Sequence, residues 1–163
     1  MNKYDNNILD FRLGDFLIAL SLLTRIPVNI DHHESGERAS KVTWAYPLVG
    51  ALIGAISASI ANIAIFVGLP FSIGAILSLI TMAALTGGMH EDGLSDSADG
   101  LWGAKDKGQI LQIMKDSRIG SFGAIALVLI IVGRYASIKD LIQIESLFWP
   151  LIAAASISRV PMV

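Results

Sequence analysis

Residues 42–89 contain no Asp, Glu, Lys, Arg or His. A run of that length has no place on a water-soluble surface, and at about 20 apolar residues per bilayer crossing it is long enough for two spans. Pro70 divides it, because proline breaks a helix interior. One helix is expected over residues 44–69 and a second over 71–88, joined by the short uncharged linker 68–71 into a membrane hairpin.

Composition agrees. Hydrophobic residues make up 53% and charged residues 16% of the 163, against a charged share of about 25% in ordinary soluble domains, and mean hydropathy is +0.62. The expected fold class is all-α: a polytopic integral membrane helix bundle, one membrane-embedded domain over residues 1–163. Residues 120–138 are apolar except for Arg134, and residues 147–158 open a short apolar stretch behind Glu145. The total is about four transmembrane helices, with Arg134 late in the third and able to snorkel to the interface. Residues 11–28 keep only a short uncharged core between Asp15 and Arg25, which fits an interfacial or partly inserted helix. Gly50 and Gly54, with Ala51 and Ala55 beside them, form the small-residue pattern that lets membrane helices approach closely, although lipid-facing filler has the same composition.

The formal charge of −2 and the lack of an Arg/Lys-rich arm argue against nucleic acid as a partner. With no cysteine there is no disulfide, thiolate metal site or Cys nucleophile. The N-terminus is too acidic and polar for a secretory signal peptide and reads as mature sequence. Lys3, Arg12, Arg25, Arg38 and Lys41 before the hairpin, and Lys105, Lys107, Lys115 and Arg118 after it, lie on one face. The positive-inside tendency makes that face cytoplasmic, with Lys139 counting against it. Residues 1–43 form an N-terminal cytoplasmic or interfacial segment, 44–89 the hairpin, 90–119 an acidic cytoplasmic segment, and 120–163 further membrane helices.

That acidic segment reads HEDGLSDSADG over residues 90–100. If it is helical, Asp92, Asp96 and Asp99 stand at i, i+4 and i+7, within about 60° of one another. Three carboxylates on one face repel unless a hard divalent cation binds them, and Mg²⁺ prefers oxygen ligands and shares its shell with substrate phosphates. Gly93 and Gly100 bracket the run, so an irregular or kinked helix is expected. A solvated loop accounts for the polarity but not for the shared face. A calcium loop is disfavoured by Ser95 and Ser97 at ligand positions, and a zinc-protease helix by the lack of a second His at the right offset from His90, which suits a supporting role better than ligation. Downstream, KDSRIGSFG over residues 115–123 suggests phosphate chemistry. Arg118 offers a forked donor, Ser121 a helix cap with anion-attracting N–H groups, Gly120 and Gly123 close backbone approach, and Asp116 a further ligand or general base.

DSADG over residues 96–100 also matches the opening of membrane enzymes that move phosphoalcohols from CDP, but the rest of that pattern is absent. Taken together, LLTRIPV (22–28), YPLVGALIG (46–54), GGMHEDGLSDSADGLWG (87–103) and MKDSRIGSFG (114–123) resemble the cobalamin synthase, or adenosylcobinamide-GDP ribazoletransferase, family. The motifs occur in family order. Residues 133–135, Gly-Arg-Tyr, depart from a lysine-centred family segment, and the chain stops at ISRVPMV where family members continue, which implies a C-terminally truncated member. The resemblance implies an Mg²⁺-dependent transferase of the cytoplasmic (inner) membrane that joins adenosylcobinamide-GDP to α-ribazole or its 5'-phosphate and releases GMP. Asp92, Asp96 and Asp99 would hold the metal, with Glu91 or Asp116 completing the shell. Arg118 would neutralise phosphate, with Lys115, Gly120 and Ser121 as further substrate contacts, and Asp99 or Asp116 would act as base. A homo-oligomer or a complex with other B12 enzymes is a further expectation. The rivals are a CDP-alcohol lipid enzyme, a non-enzymatic ion carrier and a scaffold subunit.

Overall fold

The computed structural model describes residues 13–29, 41–116 and 118–162, so the expectations for Lys3, Arg12 and Arg38 lie outside the described residues. All regular structure within them is helical: α1 (Leu13–Leu23), α2 (Tyr46–Phe66), α3 (Phe71–Thr86), α4 (Met89–Gly103), α5 (Lys107–Ile113), α6 (Ser121–Gln143) and α7 (Phe148–Ile157). A 3-10 turn, Thr43–Ala45, leads into α2, and another, Val160–Met162, follows α7.

The hairpin forms as its sequence indicates. Pro47 lies in the first turn of α2, where a missing N–H breaks no helical bond, and Pro70 is the residue that caps α3. α2 buries Val49, Gly50, Ile53, Gly54, Ser57, Ala58, Ala61 and Ala64, a stripe at helical spacing. Two hydroxyls in these apolar helices bond back within their own helix: Ser59 Oγ donates to the Ala55 carbonyl at 2.7 Å and Thr81 Oγ1 to that of Leu77 at 2.7 Å.

Among the described residues two helices are long and apolar enough to cross a bilayer, Thr43–Phe66 with 24 residues and Ser121–Gln143 with 23. α3 has 16 residues and turns by 87° into α4, so it reaches a third crossing only if the bent pair counts as one. α7 has 10 residues and is short, as expected. α6 runs to Gln143, past the expected end at residue 138, so Arg134 sits inside the helix rather than near its end. Its outward side leaves Ile125, Val128, Leu129 and Val132 more than half exposed. An apolar patch of this kind belongs against hydrocarbon.

α1 is a packed member of the bundle, with protein rather than lipid along one face. Its Ala19, Leu20 and Leu23 meet Ala45, Val49 and Ile53, and the buried Asp15 accepts a hydrogen bond from Trp44 Nε1 at 3.4 Å.

The Gly50/Gly54 pattern is a helix contact, and its partner is α7. A Cβ on Gly54 would fall 2.8 Å from Ile152 Cα and 2.9 Å from the Leu151 carbonyl oxygen, and one on Gly50 would overlap the Ala155 carbonyl. Ser156 Oγ donates to the Pro47 carbonyl at 2.9 Å and closes the seam. Overpacking of this kind costs about 1–3 kcal/mol. Gly54→Ala should therefore lower the unfolding midpoint in detergent, whereas Gly133→Ala, with open space around its Cβ position, should leave it unchanged or raise it. Equal responses from the two variants would show that the seam has slack.

Candidate active site

The site is built on an elbow. Gly87 and Gly88 follow α3 with φ of +68° and +73°, a left-handed pair that residues with a Cβ adopt only under strain. Both N–H groups return to the Ala83 carbonyl and end α3, and α4 starts at once. The irregularity expected at Gly93 and Gly100 falls here instead, because α4 passes through both without a break.

α4 is helical over the whole acidic run, so Asp92, Asp96 and Asp99 share a side as expected. Their environments differ: Asp92 is exposed, Asp96 half-buried and Asp99 buried. Asp99 Oδ2 accepts the Gly120 N–H at 2.8 Å and Oδ1 accepts the Gly123 N–H at 2.9 Å. The N-cap of α6 is Gly120, which has no side chain to offer, so a carboxylate from α4 performs the capping. Ser121, expected to cap, is instead the first helical residue and makes no such bond. Gly120 and Gly123 are required sterically, since a Cβ on either would overlap the Asp99 carboxylate. Farther back, Glu91 Oε1 accepts a hydrogen bond from Arg134 Nη1 at 2.8 Å. Arg134 is thus a tertiary partner of α4, not a snorkelling side chain.

Asp116 and Arg118 pair with each other on the surface loop before α6. Arg118 Nη2 lies 2.6 Å from Asp116 Oδ2, Arg118 Nε donates to both carboxylate oxygens, and its backbone N–H donates to Oδ1. Hydrogen bonds from Arg118 hold the Asp116 carboxyl below the usual carboxylate range. Lys115 beside them is exposed.

Asp92 and Asp99 open onto different places. A cavity of about 650 Å³ is lined by Arg25, Gly87, Glu91, Asp92, Ser95 and Ile119 among others. A hollow of about 300 Å³ is lined by Asp99, Asp116, Arg118, Gly120 and Ser121 among others. Among the described residues no three His, Asp or Glu side chains are grouped closely enough to hold a metal ion. The side chains of Asp92 and Asp96 make no hydrogen bond or ion pair with the described residues, which leaves their oxygens available to a ligand.

Arg25 is the residue that sequence reasoning missed, having been read only as a topology charge. Its backbone N–H donates to the Leu85 carbonyl at 2.7 Å, and its side chain lies against Gly87, where a Cβ would overlap it. It thus comes to line the same cavity as Asp92. The available signal was a cation placed directly after an apolar helix and before Ile26-Pro27.

The fold and site define a polytopic membrane helix bundle that carries an acidic, glycine-hinged helix beside an arginine-lined cavity. The profile of the cobalamin-5-phosphate synthase family matches residues 15–163. Proteins named adenosylcobinamide-GDP ribazoletransferase are similar over most of the chain. That of Shewanella amazonensis is 39% identical over 146 residues, 88% of this chain and 56% of the relative. The Vibrio cholerae O395 protein is 38% identical over 152 residues, 93% and 58%, and that of Azorhizobium caulinodans 42% identical over 152 residues, 90% and 58%. The chain belongs to the cobalamin-5-phosphate synthase family, and it spans a little over half the length of these curated relatives. No solved structure matches it.

Asp99→Ala should cost about 3–6 kcal/mol, the scale of two hydrogen bonds to a charged acceptor, read as a lower unfolding midpoint in detergent. Asp99→Asn, which keeps one acceptor oxygen, should lose about half as much. Wild-type stability in both would sever Asp99 from α6. Arg118→Ala should return the Asp116 carboxyl upward to its ordinary titration range by carboxyl NMR. Because the native-state value is the depressed one, whatever the pair adds to stability is present above the ordinary range and disappears on acidification through the lower one.

Proposed function

We propose that this chain carries the catalytic face of an Mg²⁺-dependent transferase that joins adenosylcobinamide-GDP to α-ribazole or α-ribazole 5'-phosphate and releases GMP at the cytoplasmic face of the inner membrane. Family membership supports the reaction class, and the names of the relatives supply the donor substrate. The observation that carries the reading is an unpartnered carboxylate, Asp92, in the same cavity as Arg25, with the unpartnered Asp96 one turn further along α4.

Mg²⁺ takes one or two protein carboxylates and completes its octahedron with water and substrate phosphate. Asp92 and Asp96, one turn apart on α4 and without protein partners, suit that need. Asp99 stands next on the same side, and each of its oxygens retains a second lone pair beyond its bond to α6. Glu91 already gives one oxygen to Arg134, which places it behind the metal ligands. When bound there, the metal would offset charge on the diphosphate and favour departure of the GMP phosphate.

The chain's own residues supply the rest. Arg25 reaches phosphate from the α1 side, and Arg118 with Lys115 reaches it from the loop before α6. The acceptor hydroxyl oxygen bonds to the cobinamide-side phosphorus as the phosphorus–oxygen bond to GMP breaks. Asp116 takes the hydroxyl proton once Arg118 turns from it to phosphate, since the pair as it stands makes Asp116 a weak base. Gly120 and Ser121 line the hollow beside Asp99 and set the floor of this space.

Membranes containing the chain should release GMP from adenosylcobinamide-GDP and α-ribazole only when Mg²⁺ is present. Asp92→Asn or Asp96→Asn should reduce release at least 100-fold while membrane insertion persists, and Arg118→Ala should slow it less. CMP release from a CDP-linked donor, with none of GMP, would reassign the chain to CDP-alcohol chemistry. Unaltered turnover in both aspartate variants would remove α4 from the metal site.

A further inference from the structure

Behind the main cavity lies a second one of about 230 Å³, lined by Thr86, His90, Glu91, Arg134, Ser158 and Arg159 among others. Thr86 and Glu91 belong to the walls of both. The side chain of Arg159 sits here although the residue is only 4% exposed. Its Nη1 donates to the Ala155 carbonyl at 3.0 Å and meets Ser158 Oγ at 2.7 Å, while its Nε has no partner. No carboxylate among the described residues forms an ion pair with it, because the Glu91 bond goes to Arg134. Two further buried atoms of the lining residues lack partners, His90 Nε2 and Glu91 Oε2.

Buried polar atoms without partners are rare because each forfeits its hydration, and a buried guanidinium without a counter-charge is costlier still. Arg134, Arg159 and Glu91 together leave one positive charge in excess. The space is several times the roughly 30 Å³ of one water molecule. A ligand suited to this lining brings one negative charge to the two guanidiniums and offers both acceptor and donor atoms to His90 and Glu91. A phosphate group that retains a proton does each of these things.

We propose that this cavity, bounded by His90, Glu91, Arg134, Ser158 and Arg159, is a binding site for a phosphate monoester or inorganic phosphate, separate from the carboxylate face of α4. The binding step stands independently of the proposed transfer reaction. The phosphate comes either from a soluble molecule or from the monoester headgroup of phosphatidic acid at the bundle surface.

The test uses the full chain purified in a phosphate-free, non-ionic detergent, with inorganic phosphate replacing chloride at constant ionic strength. The unfolding midpoint of wild type should rise saturably with phosphate. Arg159→Gln should weaken the apparent phosphate affinity at least tenfold and His90→Gln severalfold, whereas Arg25→Gln and Asp92→Asn in the neighbouring cavity should retain it. Should Arg159→Gln not fold, Arg159→Lys keeps the charge but removes the Nε donor and should still weaken phosphate binding. No rise beyond that in chloride, equal affinity in wild type and the Arg159 variant that folds, or loss in Arg25→Gln alone would each overturn the assignment. In nanodiscs, a response lost in phosphatidic acid but kept in phosphatidylcholine identifies a lipid monoester headgroup as the occupant, and one kept in both identifies a soluble phosphate. A response lost in both would also overturn it.

Discussion

The two hydrogen bonds from the first turn of α6 to Asp99 set the geometry of everything around them. Four N–H groups at the start of a helix have no internal partner, and in a long apolar helix near the membrane boundary this is a serious deficit. Asp99 meets it with a full negative charge at the positive end of the helix dipole. The arrangement locks α4 to α6 at one end, and the Glu91–Arg134 pair locks them again further along. Two polar fastenings therefore hold a polar helix against an apolar one, where hydrophobic burial alone could not. The glycines at 120 and 123 follow from this, since they let the carboxylate reach the backbone.

With α4 pinned along α6, the elbow at Gly87-Gly88 decides where the outer carboxylates face. An 87° turn redirects the chain from α3 into α4 within two residues, which opens the corner that Arg25 enters from α1. Ordinary helix continuation would have carried the acidic residues along the axis of α3. The turn instead grades the three aspartates from exposed Asp92 to buried Asp99, so that side chains of one type on one helical side serve different ends: the outer pair keeps free oxygens, and the inner one holds the scaffold.

The parts of this architecture legible in the sequence are those governed by local pattern. The uncharged run and Pro70 define the α2–α3 hairpin, the i, i+4, i+7 spacing defines the shared side of α4, and Gly50 with Gly54 marks a close helix contact. What stayed hidden depends on partners distant along the chain. Nothing near Ser121 reveals that an aspartate from another helix caps α6 in its place, and nothing near Arg134 reveals Glu91, because each bond joins α4 to α6 across the intervening α5 segment. Arg25 and Arg159 were obscure for the same reason. A cation at a helix end looks alike whether it meets water, lipid or a cavity. The number of crossings was harder to read than the helical class, since α3 and α7 have apolar composition without full length.

The seam between α2 and α7 has a consequence for assembly during synthesis. Ser156 and Pro47, which meet across it, are separated by 109 positions. At about 5–20 residues per second, the ribosome delivers the second half on the order of ten seconds after the first. During that interval the groove at Gly50 and Gly54 stands open to acyl chains. Small apolar residues tolerate such a wait, because hydrocarbon solvates them nearly as well as a neighbouring helix does, and the backbone beneath is already hydrogen-bonded within α2. Closure then gains chiefly from shape, so a late-arriving α7 finds its place by fit, and the Ser156 hydroxyl meets the Pro47 carbonyl as it does so.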